Sequence, residues 1–284
     1  IKEYNKPYDV IVLGDSFTFA KSSWLSHFAD ITGLSIIAFD VRKVRMNDII
    51  KSRFYKEKPP LLFVYESVER EIIHRLLALN LKAYDTLAPK NLPPRKIVIQ
   101  PKKIKKYYQS RIKSSKLITR VSEAMNHIKK LPFRIIDYPL GTVLFDLKNH
   151  GKPIFSNKSN RKILIYREDF NKAKTTEAEI RISADNIIKL QGIIESNGKT
   201  SFMLLVFPDK WTVYSRYLKS SQVIPSDLFR LHKYYPVLRL DQSFVQAIDD
   251  GVIDLYLPND THTGYKGNQI TANILLNQLL RRNQ

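Results

Sequence analysis

Asp9-Val10-Ile11-Val12-Leu13-Gly14-Asp15-Ser16-Phe17 is the stretch on which the fold turns. The run from Val10 to Leu13 is wholly apolar and mostly β-branched. It is too short for a helix and shows no polar alternation, so it reads as a strand buried on both faces. Gly14-Asp15-Ser16 ends it, and Trp24 to Ile31 follow as a helix. A buried strand, a turn and a helix make the opening unit of a parallel α/β sheet.

The same alternation continues outward. Ser35 to Phe39 (SIIAF) read as a second strand, Asn47 to Phe54 as a helix, and Leu61 to Tyr65 (LLFVY) as a third strand after Pro59-Pro60. It resumes late in the chain. Ala184 to Ser196 form an amphipathic helix that Asn197-Gly198 stops. Phe202 to Phe207 (FMLLVF) are a core strand and Tyr235 to Leu240 a weaker one. Leu255 to Leu257 lead into Asn259-Asp260-Thr261-His262, and Gln269 to Leu280 close the chain as a helix. Between these halves lie Pro89, Pro93, Pro94 and Pro101, then a basic helix or helix pair from Lys102 to Lys130. Short strands are expected over Thr142 to Phe155 and Lys162 to Tyr166, with a hairpin turn at Asn149 to Lys152. The expectation is one α/β domain over residues 1–284, carrying an insertion or cap at about residues 80–170.

The 284 residues include no cysteine, which excludes disulfides and thiol catalysis. Hydrophobic residues make up 43%, enough for a sizeable core. No stretch reaches the ~18 apolar residues of a membrane helix. The net charge of +20 bears on partners and not on fold. It suits an anionic glycan, an anionic membrane surface, a nucleic acid, or simply a solvated basic surface. The run Lys102, Lys103, Lys105, Lys106, Tyr107, Tyr108, Arg111, Lys113, Lys116 mixes cations with aromatics and could hold a polyanion, or be a solvated helix face. No helix-turn-helix, zinc or phosphate-loop pattern points to specific nucleic-acid binding, and no His/Asp/Glu cluster has metal-site spacing. No cofactor is expected.

Ser16 sits where a core strand gives way to a helix, at the carboxyl edge of the sheet where α/β proteins bind ligands. A hydroxyl there needs a base to become nucleophilic, and the helix start offers N–H groups to a developing oxyanion. The alternative is that Ser16 only caps the helix. Of the six histidines, His262 alone has an acid beside it in a loop after a strand. In extended chain, residues i and i+2 project to one side. Asp260 can therefore orient the His262 imidazole, as the acid of a triad does. The alternative is an acidic turn before a helix.

Taken together these segments resemble a known family. Gly14-Asp15-Ser16-Phe17 resembles the GDS(L/F) block of SGNH hydrolases, and Asp260-Thr261-His262 followed by Gly267 resembles their closing acid–base block. More closely, Asp260 to Gly267 is similar to the D-T-H-W-x-x-x-G signature of the alginate O-acetylation proteins. Pro59 to Arg70 is similar to their P-x-x-V-I-W-E-x-P-E-R segment, and Pro208 to Tyr214 to their P-x-K-x-x-x-Y segment. The matches span roughly two-thirds of the chain and leave the middle unmatched. In those proteins the Asp-x-His block precedes the serine block; here it follows, as in ordinary SGNH hydrolases. Thr263 stands in place of their tryptophan, and Asn259 takes the position three before the histidine where most SGNH hydrolases carry the acid.

The resemblance implies a three-layer α/β/α, flavodoxin-like fold with Ser16, His262 and Asp260 as a catalytic triad. It implies that Gly14, Asp15, Asn47, Glu66 and Arg70 shape the oxyanion donors or the surroundings of the nucleophile. Glu66 and Arg70 also read as an ordinary i,i+4 ion pair. Lys210 and Tyr214 would line the substrate cleft, or sit in a solvated loop. The activity implied is O-acetyl transfer to an exported polysaccharide through an acetyl-serine intermediate. The acetyl group would come from a donor such as a membrane acyl-carrying partner protein. The implied location is periplasmic or extracytoplasmic, with a membrane anchor preceding Ile1. A carbohydrate O-acetylesterase, a noncatalytic glycan-binding protein and a nucleic-acid-binding protein are the other readings.

Overall fold

A computed structural model of the protein describes residues 7–20, 23–79, 81, 137–138, 141–148, 151–158, 161–219 and 224–282. Seven strands occur among the described residues: β1 (Val10–Gly14), β2 (Ile36–Asp40), β3 (Leu62–Val68), β4 (Asp137–Tyr138), β5 (Thr142–Asp146), β6 (Lys162–Tyr166) and β7 (Ser201–Phe207). Four of them form a parallel sheet in the order β2-β1-β3-β7. Val10 pairs with Ile36 on one side and Leu62 on the other, and Leu62 with Ser201.

Strand periodicity sorts the apolar residues onto two faces. Val10, Val12, Leu62, Val64, Met203, Leu205 and Phe207 pack with Trp24, Phe28, Phe244, Leu275 and Leu279. Ile11, Leu13, Phe63, Tyr65, Phe202, Leu204 and Val206 pack with Ile49, Ile72, Leu76, Ile180, Ile187 and Leu228. The first group of helix residues lies on Trp24–Thr32, Leu240–Asp249 and Tyr265–Arg282, the second on Met46–Ile50, Glu69–Leu77, Glu177–Glu195 and Asp227–His232. Helices thus flank the sheet on both faces. This burial is why the strands are continuous apolar runs. A capping box of Thr176 and Glu179 starts the long helix Glu177–Glu195, and Gly198, with φ at +66°, follows its end.

The second sheet, β4-β5-β6, is antiparallel. Ile163 and Ile165 of β6 join Phe155, Trp211 and Tyr214 in the first core. The basic stretch Lys102–Lys130 and the proline-rich segment before it lie outside the described residues, as do Asn149 and His150 of the expected hairpin turn. Among the described residues no helix is long and apolar enough to cross a membrane.

Several elements differ from expectation. β3 runs on through Glu66, Ser67 and Val68, paired with Leu205, Val206 and Phe207 of β7. Two fully buried polar side chains end this apolar strand. Asn47 to Phe54 split into the helices Met46–Ile50 and Arg53–Glu57, because the Ser52 hydroxyl accepts from Tyr55 N–H and starts a new cap. Strand β5 stops at Asp146, and Leu147 bridges to Leu218 instead. Tyr235 to Leu240 form no strand. Pro236 offers no N–H to a ladder, Val237 N–H turns back to the Tyr235 carbonyl (2.8 Å), and Leu240 opens a helix. Leu255 to Leu257 contribute a single antiparallel bridge, Tyr256 to Thr263. Because the main sheet is parallel, Gly14, Asp40, Val68 and Phe207 all end at one edge, and the segments after them meet there.

Candidate active site

The turn after β1 is built around two buried carboxyl groups. Asp15, not Ser16, is the N-cap of the one-turn helix Ser16–Phe19; its Oδ1 accepts from Phe17 N–H at 3.0 Å. Its Oδ2 accepts from Val68 N–H (2.9 Å) and from Arg75 Nη1 (2.8 Å), tying the turn to β3 and to helix Glu69–Leu77. The Asp15 N–H in turn donates to Glu66 Oε2 (2.8 Å), as does the Thr18 hydroxyl (2.7 Å). Glu66 is fully buried and its Oε1 meets no partner among the described residues. Burial, and then the Asp15 carboxylate, push the Glu66 carboxyl well above the usual carboxylate range. Gly14 is required by this packing: a Cβ there would stand 2.5 Å from Glu66 Oε2 and closer still to Thr18 Oγ1.

Ser16 is thereby released from capping, and its side chain is half-buried at the sheet edge. Phe17 N–H is engaged by the Asp15 side chain and Thr18 N–H by the Asp15 carbonyl (3.1 Å). Ser16 N–H is thus the turn's candidate oxyanion donor.

The His262 loop comes to the same place. The Phe17 ring packs on Phe207 at 4.9 Å and on the His262 imidazole at 4.8 Å between centroids. His262 Nδ1 donates to Asp260 Oδ1 at 2.7 Å, and His262 N–H adds a 3.2 Å bond to the same oxygen. The hydrogen bond from His262 holds the Asp260 carboxyl below its ordinary range, burial opposing it. With Nδ1 occupied, Nε2 is the proton-accepting atom; it is buried and makes no hydrogen bond among the described residues. No hydrogen bond joins it to Ser16. The loop is anchored behind by Gly267, where a Cβ would come within 2.5 Å of the Leu255 carbonyl.

The remaining expected residues divide. Glu66 and Arg70 do not pair with each other. Glu66 belongs to the Asp15 turn, whereas Arg70 Nη1 reaches Asp169 (3.2 Å), Asp209 (3.1 Å) and the Thr261 hydroxyl (3.4 Å). Arg70 thereby touches the loop between Asp260 and His262. Asn47 lies in helix Met46–Ile50 after β2, half-buried. Lys210 and Tyr214, expected to line a cleft, are buried. Lys210 Nζ bonds backbone carbonyls. The Tyr214 hydroxyl accepts from Tyr256 N–H (3.3 Å), and burial raises its pKa. Neither side chain is presented to solvent.

Sequence reasoning missed a buried charge cluster beside the site. Lys172 Nζ lies 3.3 Å from Glu69 and 3.1 Å from Asp209, all three buried. Glu69 also accepts from Ser226 (2.6 Å), Thr212 (2.5 Å) and Asp209 N–H (3.0 Å). Burial opposes its ionisation, but Lys172 and these donors outweigh it and hold the carboxyl below its ordinary range. Asp169 is pushed well above that range by burial and then by Asp209. Among the described residues no group of three or more His, Asp or Glu is arranged to hold a metal ion.

No family model, curated protein or solved structure matches this chain.

Proposed function

We propose that the protein is a serine-dependent O-acetyltransferase of the SGNH type, acting on an exported polysaccharide. One observation carries the reading: an imidazole tethered through Nδ1 to Asp260 packs against Phe17, one residue from Ser16, with Nε2 unengaged. His262 Nε2 takes the Ser16 proton as Oγ attacks an acetyl carbonyl. Ser16 N–H meets the oxyanion. The carbon–oxygen bond to the donor breaks, and His262 returns the proton to the leaving group. An acceptor hydroxyl then gives its proton to His262 and attacks acetyl-Ser16, restoring the serine. A net charge of +20 favours an anionic acceptor chain. We place the activity outside the cytoplasm, with the acetyl group delivered by a membrane acyl-carrying partner.

Hydrolysis by the same triad is the second reading. It is favoured by the exposure of Asp260, whose side chain is 49% accessible, so water reaches the loop. Incubating the protein with an activated acetyl ester and neutral or uronate oligosaccharides separates the two. Transfer predicts O-acetylated oligosaccharide. Acetate alone, with acceptors present, would overturn it. Turnover unchanged by Ser16→Ala would overturn both.

A further inference from the structure

Lys210 opens the short helix Lys210–Tyr214 after β7 and is 1% exposed. It makes no salt bridge among the described residues. Its Nζ donates to the carbonyls of Leu257 (2.7 Å), Pro258 (3.3 Å) and Leu164 (3.3 Å), and the Phe155 ring lies beneath at 5.9 Å. An ammonium in such surroundings is costly, and burial draws its pKa down to about 7 against the pull of Asp169 and Asp260.

What the ammonium holds is specific. The Leu257 carbonyl also accepts from Asp260 N–H (3.3 Å), and Leu257 N–H donates to the His262 carbonyl (3.0 Å). Leu257 therefore closes the loop onto both partners of the imidazole–carboxylate pair, and Lys210 grips the same residue from behind. Leu164 anchors the grip in β6. Arg70, bonded to Thr261, holds the loop from its other side.

We propose that Lys210 is a positioning residue: its buried Nζ, bonded to the Leu257, Pro258 and Leu164 carbonyls, fixes the loop that sets the Asp260–His262 pair. The catalytic part of this rests on the triad reading. Lys210 touches no reacting group and acts through Leu257. A polar residue in this position normally reads as a substrate contact, but its burial assigns it inward.

The test uses the full chain with Lys210→Met, which keeps an unbranched stem one atom shorter and removes the side-chain donor, and Lys210→Gln, which keeps a neutral donor. Two readouts need no substrate. The downfield proton resonance of the His262–Asp260 bond, assigned by its loss in His262→Ala, should broaden or vanish in Lys210→Met and partly return in Lys210→Gln. Amide exchange should quicken at Leu257 and Asp260 while Val12 and Val64 in the sheet keep their protection. With an acetyl ester, kcat should fall roughly 10- to 100-fold with KM little changed, as for a misplaced base. An unaltered resonance and unaltered loop exchange in Lys210→Met would overturn the proposal. So would exchange that quickens equally in the sheet, which marks a purely structural lysine. If Lys210→Met does not fold, Lys210→Gln alone decides, an intact resonance and unchanged loop exchange again being fatal. Should the wild type turn over no ester while the loop opens in Lys210→Met, the triad reading fails and the clamp stands.

Discussion

Gly14→Ala tests how the turn after β1 is held. The added methyl would lie 2.5 Å from Glu66 Oε2 and closer to Thr18 Oγ1. Neither neighbour can give way cheaply. Glu66 Oε2 accepts from both Asp15 N–H and the Thr18 hydroxyl, and all three residues are buried. Overpacking of this kind costs about 1–3 kcal/mol. Displacing Glu66 strands a buried donor for about 1–3 kcal/mol more. The sum is about 4 kcal/mol, or a fall in Tm on the order of 10 °C for a chain this long. Denaturant melts of Gly14→Ala, Thr18→Ala and the double variant measure it. Removing the Thr18 hydroxyl makes room, so the double variant should lose less than the two singles combined, by about 1 kcal/mol or more. Additive losses, or a Gly14→Ala protein as stable as wild type, would refute the packing described here.

Glu66→Gln should match wild-type stability below about pH 4, where the carboxyl it replaces is protonated in the folded and unfolded chain alike, and exceed it at neutral pH, whereas Glu66→Ala should lose about 3 kcal/mol. The folded-state pKa of Glu66 is raised, so the wild type binds more protons folded than unfolded. Its contribution is whole below the unfolded pKa of about 4.3 and is lost as pH climbs towards the folded value. Melts across that window should show Glu66→Gln gaining on wild type as pH rises; parallel curves would contradict the raised pKa of Glu66. Lys172→Met should cost about 3–5 kcal/mol by urea denaturation, since it leaves buried Glu69 without a cation among the described residues and Asp209 with Arg70 alone. A loss under about 1 kcal/mol would show that the cluster does not depend on its lysine.

β1, β3 and β7 were readable because both faces are buried and leave unbroken apolar runs at Val10, Leu62 and Phe202, and the half-buried β2 because its run at Ile36 is equally apolar. The same rule misled at Tyr235 to Leu240, where apolar residues pack as an irregular turn at Pro236. It also hid the end of β3, because Glu66 and Ser67 look like loop residues until their burial is known. Asp260 and His262 were legible through their spacing of two, a local property that geometry preserves. The charge cluster was not. Its bonds join residues 37 to 157 positions apart, from Lys172 with Asp209 to Glu69 with Ser226, and no local pattern connects them. Lys210 and Tyr214 were assigned to a cleft from their chemistry alone. Which way a polar side chain faces is decided by packing, and here β6 and the Leu257 loop close over them.

In the proposed mechanism the imidazole beside Phe17 activates the hydroxyl at position 16. Mass spectrometry of the protein after brief exposure to an activated acetyl ester tests it directly. One acetyl group should appear on the peptide containing Ser16, slowly or not at all in His262→Ala and never in Ser16→Ala. Label confined to lysines, or arriving on Ser16 equally fast without His262, would contradict it.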